Sequence, residues 1–140
     1  MHLILYPVLA FIITACQANE IIIANAWIAQ SPPMIDFNAG YFEIKNQSTM
    51  PVSLLAITSP AFGKIEIHRS VEEGQISKMQ YFESIDFLPG EKYDFSPGGY
   101  HLMLFDPTRV LKSGDSVPLQ FSFTEAVQIQ VMATVKSRSD

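Results

Sequence analysis

Residues 64–82 read KIEIHRSVEEGQISKMQYF, and their alternation decides the fold. Two runs of β-branched and aromatic residues flank a Glu-Glu-Gly-Gln segment, the pattern of a β-hairpin rather than a helix. With Glu73 and Gly74 as the central turn residues, Val71 faces Ile76, Ile65 faces Phe82 and His68 faces Met79. One face then collects Ile65, Ile67, Val71, Ile76 and Phe82, and the other collects Lys64, Glu66, His68, Ser70, Ser77, Met79 and Tyr81. A slip of one residue, with Gly74 as a bulge, would mix the two sets, so the first register is preferred. His68 and Met79 are expected on the polar face.

Outward from this hairpin the chain repeats the same grammar. The hairpin's strands are Lys64 to Ser70 and Ile76 to Phe82, and further strands are predicted at Ile21 to Ala29, Gly40 to Lys45, Val52 to Thr58, Lys92 to Phe95, Tyr100 to Phe105, Val117 to Thr124 and Val127 to Val135. Between them lie turn segments such as SPAFG, LPGE, SPGG and DPTRVLKSGD, and no segment holds a helical period. Nine short strands in one domain predict two packed antiparallel sheets, an all-β sandwich of cupredoxin-like or immunoglobulin-like type. The chain has 140 residues, of which 48% are hydrophobic and 16% charged, enough for one core and for one domain from 19 to 140. A formal net charge of -5 and scattered Lys and Arg argue against nucleic acid as a partner.

The opening MHLILYPVLAFIITACQANE holds an apolar run from Leu3 to Ala15, too short to span a bilayer. Residues 1–18 therefore read as an export signal. Cys16, the chain's single cysteine, follows IITA, which resembles the lipobox of bacterial lipoproteins, with cleavage before Cys16 and lipidation of its thiol. Cleavage after Ala18 is the alternative and would release a soluble protein. In both cases the folded domain has no thiol, which excludes disulfides, cysteine nucleophiles and zinc fingers.

In GGYHLMLFD, residues 98–106, Leu102 and Leu104 point to one face of a strand and His101 and Met103 to the other. If this strand and the 64–82 hairpin meet at one end of the sandwich, two imidazoles and two thioethers converge. Neutral, soft thioethers with borderline imidazoles favour Cu(I) over Zn(II), Mg(II) or Ca(II). Taken singly, Met79 reads as core filler and His68 as a solvated surface residue; their joint spacing favours a metal site.

That spacing, His68, ten residues, Met79, twenty-one residues, His101, one residue, Met103, is similar to the H-x10-M-x21-H-x-M signature of the periplasmic copper chaperones called PCuAC. The stretches ANAWIAQSPP, SPAFGKIEIH, LPGEKYDFSPGGYHLMLFD and LKSGDSVPLQFSF also resemble that family, so the resemblance runs from Ala24 to Val135. It implies a cupredoxin-like antiparallel β-sandwich that binds one Cu(I) through His68, Met79, His101 and Met103. It further implies delivery of that copper to the dinuclear copper centre of cytochrome c oxidase. The setting it implies is the bacterial periplasm, with a lipid anchor to the membrane if Cys16 is acylated. Many members carry Met or His just after the first ligand His, where this chain has Arg69 and Ser70, and this chain ends in KSRSD rather than a His- and Met-rich tail. A second copper is not expected.

Copper storage without a dedicated acceptor, and a metal-free binding sandwich, are the competing functions. A blue-copper electron carrier is disfavoured because it needs a Cys thiolate. Met34 and Met50 are expected in loops and Met132 in the core, while Tyr100 and Phe105 adjoin the ligands and are placed to shield an ion. No carboxylate pair is spaced for acid and base chemistry, and SPGG at 96–99 leads into a strand rather than a helix, so no enzyme is expected.

Overall fold

The computed structural model describes residues 20–137, so the expectations for the export signal and for Cys16 lie outside the described residues. In chain order the strands are β1 (Ile21–Ala29), β2 (Phe37–Asn46), β3 (Val52–Thr58), β4 (Phe62–Glu73), β5 (Ile76–Phe82), β6 (Ile85–Phe87), β7 (Lys92–Phe95), β8 (Tyr100–Pro107), β9 (Ser116–Phe123) and β10 (Gln128–Lys136). One 3-10 turn, Thr124–Ala126, joins the last two. Among the described residues no helix is long and apolar enough to cross a membrane.

The strands form one continuous hydrogen-bonded sheet in the order β5-β4-β8-β2-β1-β10-β9-β3-β6, with β7 pairing to β2 beyond β8. That sheet folds over on itself. Phe42 of β2 stacks on Phe95 of β7 at 4.2 Å and meets Phe121 of β9 edge-on at 4.9 Å, although β9 lies three strands away in the ladder. The result is the expected sandwich, made from one bent sheet rather than two separate ones. The pairing is antiparallel except where β1 runs parallel to β10, with Trp27 beside Thr134.

Alternation builds the core. On β2 the inward set is Asn38, Gly40, Phe42, Ile44 and Asn46, and on β9 it is Val117, Leu119, Phe121 and Phe123. Leu102 and Leu104 of β8 join them, fully buried. Each Val, Leu, Ile or Phe among them, removed from water, contributes about 1.5–3 kcal/mol. The buried Asn46 is satisfied: its amide donates to the carbonyls of Met50 and Phe87, and its oxygen accepts from the Ser48 hydroxyl.

One expectation is corrected and one strand is added. Met132 is not core: it lies on the outer face of β10, 53% exposed, opposite Pro118. β6 was not predicted, since three residues are too few to show an alternation.

Candidate metal centre

The hairpin register differs from the expected one. The turn is Gly74–Gln75, so Glu73 faces Ile76, His68 faces Tyr81 and Met79 faces Ser70. Gly74 has φ +67, and placing it first in a two-residue turn puts the left-handed conformation on glycine; the expected turn would have put it on Glu73. The shift is two residues, so every side chain keeps its face. Met79 therefore stays on the face of His68, but one diagonal away instead of directly opposite.

β4 and β8 are neighbours in the sheet, and their register makes the site. His68 pairs directly with His101, and Glu66 with Met103. The two candidate ligand pairs thus meet on one outer sheet face, with His101 at the start of β8 beside the Gly99 turn. Across that face, one row runs Tyr81, His68, His101; the next runs Glu66, Met103, Ala39; a third holds Lys64, Phe105 and Phe37. The imidazole centroids of His68 and His101 are 5.9 Å apart. His101 is buried, the His68 side chain is 13% exposed, Met103 is half-buried, and Met79 on the edge strand is 59% exposed.

Hydrogen bonds define which nitrogen of each ring is engaged. His101 Nδ1 donates to the Gly99 carbonyl at 3.0 Å, because a carbonyl can only accept, and Nε2 then carries the ring's lone pair. His68 Nε2 lies 2.7 Å from Glu66 Oε2, and the carboxylate accepts its proton. His68 Nδ1 is buried with no hydrogen-bond partner. A buried acceptor without a donor is costly to the apo protein, and a metal ion would satisfy it.

Glu66 was not singled out by the sequence reading. It also bonds Lys64 Nζ at 2.7 Å, and that ammonium lies 4.8 Å from the Phe105 ring centroid. The Lys64 hydrogen bond first, and the His68 hydrogen bond second, hold the Glu66 carboxyl below the usual carboxylate range. Its only sequence signal was its position two residues before His68, on the same strand face.

Of the two aromatics expected to shield an ion, Phe105 lies on the face of His101 and Met103, whereas Tyr100 does not. Tyr100 packs on the opposite face, stacked on Phe95 at 5.5 Å and beside Phe82 and Tyr93. Period two requires this, since Tyr100 and His101 are adjacent. Met34 and Met50 are exposed in loops. Among the described residues no group of three or more His, Cys, Asp or Glu is arranged to hold a metal. The donors gathered on the β4–β8 face are two imidazoles, the Met103 thioether beside them and the Met79 thioether at the edge, a soft set that suits Cu(I).

This architecture is that of the cupredoxin-like β-sandwiches, and the comparisons with known proteins agree. The chain belongs to the LpqE-like family: the model described as "Putative lipoprotein LpqE-like" matches residues 21–135. The fold is that of PCuAC domains. It is similar to the copper-bound PCuAC domain from PmoF2, with a TM-score of 0.73 and 19% identity over 84% of this chain and 93% of that one. It is similar to CuI-DR1885 from Deinococcus radiodurans, with a TM-score of 0.71 and 25% identity over 89% of this chain and 84% of that one. Uncharacterized protein RP573 of Rickettsia prowazekii is 33% identical over 65% of this chain; the aligned part is 51% of that protein, so the chain spans about half its length. "Putative lipoprotein Lxx21020" of Leifsonia xyli is 24% identical over 88% of this chain and 74% of that one.

Proposed function

We propose that this protein is a copper chaperone that carries one Cu(I) on the outer face of β4, β5 and β8, with His68, Met79, His101 and Met103 as ligands. The observation that carries the reading is the direct pairing of His68 with His101, with Met103 one position further along the same face. The copper-bound relatives of the same fold support the metal, and the orphaned Nδ1 of His68 supports a ligand at that ring. Neutral ligands let copper bind without displacing a proton from sulfur, and thioethers exchange readily. A site on an outer face allows an acceptor's His, Met or Cys to replace these ligands one at a time.

The acceptor in this reading is a copper-receiving protein, and by the family resemblance the dinuclear copper centre of cytochrome c oxidase. The lipoprotein names of the family and of the Leifsonia relative support export and attachment through an acylated Cys16, with the domain in the periplasm. No step of catalysis is assigned to the protein.

A Cu(I) competition titration against a chromogenic chelator tests the reading. One equivalent bound by the parent and lost in His101→Ala and Met103→Ala is expected. No competition by the parent would overturn the proposal in favour of a metal-free sandwich. Copper that binds but does not move to a purified acceptor domain would turn it into a storage protein.

A further inference from the structure

His68 has two nitrogens, and a neutral imidazole offers only one of them to a metal. The nitrogen that carries the proton is chosen by the hydrogen bond it makes. At His101 the choice is made by the Gly99 carbonyl, 3.0 Å from Nδ1, a backbone group that any sequence would supply. At His68 it is made by a side chain. Glu66 Oε2 lies 2.7 Å from Nε2, while Nδ1 is buried without a partner. Glu66 is itself held, because its other oxygen takes Lys64 Nζ at 2.7 Å. It also stands directly opposite Met103 in the β4–β8 ladder, so it is built into the same patch.

We infer that Glu66 is a positioning residue for copper: it fixes His68 as the Nε2–H tautomer and so presents Nδ1, rather than Nε2, to the metal. The inference rests on the copper-binding reading and adds a residue and a ligand atom to it. The two histidines are then not equivalent, since His101 presents Nε2 and His68 presents Nδ1. Lys64 acts one step further back by keeping the Glu66 carboxylate turned along the strand. Partners of this kind orient a ligand imidazole and raise its basicity, and their loss costs on the order of 10–100-fold in metal affinity.

The test needs the apo protein first. Long-range nitrogen–proton NMR on the parent is expected to show His68 as a single Nε2–H tautomer and His101 as a single Nδ1–H tautomer. In Glu66→Ala the His68 pattern is expected to become mixed and Cu(I) affinity to fall on the order of 10–100-fold. Glu66→Gln, whose amide oxygen still accepts from Nε2–H, is expected to keep both the tautomer and most of the affinity. An Nδ1–H tautomer at His68 in the parent, or a Glu66→Ala variant that binds Cu(I) as tightly as the parent, would overturn the inference while leaving the chaperone reading intact. A parent that binds no Cu(I) would instead remove that reading, and the tautomer measurement would still decide what Glu66 does to His68.

Discussion

His68 and His101 face each other across the β4–β8 ladder with ring centroids 5.9 Å apart. Each ring has one nitrogen taken by the protein, by Glu66 in one case and by Gly99 in the other. A metal held between the remaining nitrogens would tie β4 to β8 through side chains, in addition to their backbone bonds and the Lys64–Phe105 contact. Copper that binds the folded and not the unfolded chain must therefore stabilise the fold. At a hundredfold excess over Kd the gain is about 2.7 kcal/mol. Denaturant midpoints with and without Cu(I) are expected to differ in the parent and to coincide in His101→Ala. A copper-dependent shift that persists in the variant would mean that the ion sits elsewhere.

The same ladder depends on a close approach at Gly40. This residue of β2 pairs with Leu102 of β8, and a Cβ there would lie 2.9 Å from Leu104 Cδ1 and 3.3 Å from Leu102 Cβ. Both leucines are fully buried. Gly40→Ala is expected to destabilise the protein by about 1–3 kcal/mol, as overpacking does. A urea midpoint unchanged from the parent would show that the Leu104 methyl moves aside without cost.

Acid stability has a local contribution from the loop before β9. Asp115 accepts from the Lys112 backbone N–H and from Arg109, both at 2.8 Å, and these bonds, the backbone one first, hold its carboxyl below the usual Asp value. A carboxyl lowered by folding stabilises the protein above its unfolded pKa, near 3.9, and that contribution disappears as pH falls through the folded value. Asp115→Asn is expected to lie below the parent in stability at pH 7 and to converge with it in acid. Parallel curves for the two proteins from pH 7 down to pH 2 would show that the bonds carry no net stabilisation.

Much of this architecture was legible from alternation. β1, β3, β5 and β7 have the boundaries that the sequence predicts, because each carries its β-branched and aromatic run between clear turn residues. The faces of His68, Met79, His101 and Met103 were also readable, since period two fixes them. The hairpin register was not, because a shift of two residues returns every side chain to its own face and leaves the pattern unchanged. The ladder distinguishes the two turns, since Glu73 pairs with Ile76 and keeps a negative φ while Gly74 takes the positive one. The adjacency of β4 and β8 is a matter of sheet order, which one strand's pattern does not encode. Glu66 escaped notice for a different reason: a glutamate between Lys64 and His68 on a polar face reads as solvated until the 2.7 Å contact is seen.

The two methionines offer the sharpest distinction between ligand and filler. Met103 is half-buried between Glu66 and Ala39 on inner strands of the sheet, so its replacement changes packing as well as chemistry. Met79 sits on the edge strand β5, 59% exposed, opposite Ser70, where a side chain of similar volume changes little in the fold. Met79→Leu is expected to leave the denaturant midpoint of the apo protein within about 0.5 kcal/mol of the parent. If its thioether is a ligand, the same variant must lose Cu(I) affinity, since leucine keeps the shape and removes the sulfur. Apo stability and Cu(I) affinity both unchanged would leave copper to His68, His101 and Met103, a three-ligand site open toward β5. Affinity lost without stability would assign Met79 to the metal, and would mean that its side chain swings in across the diagonal from the His68–Tyr81 pair when copper binds.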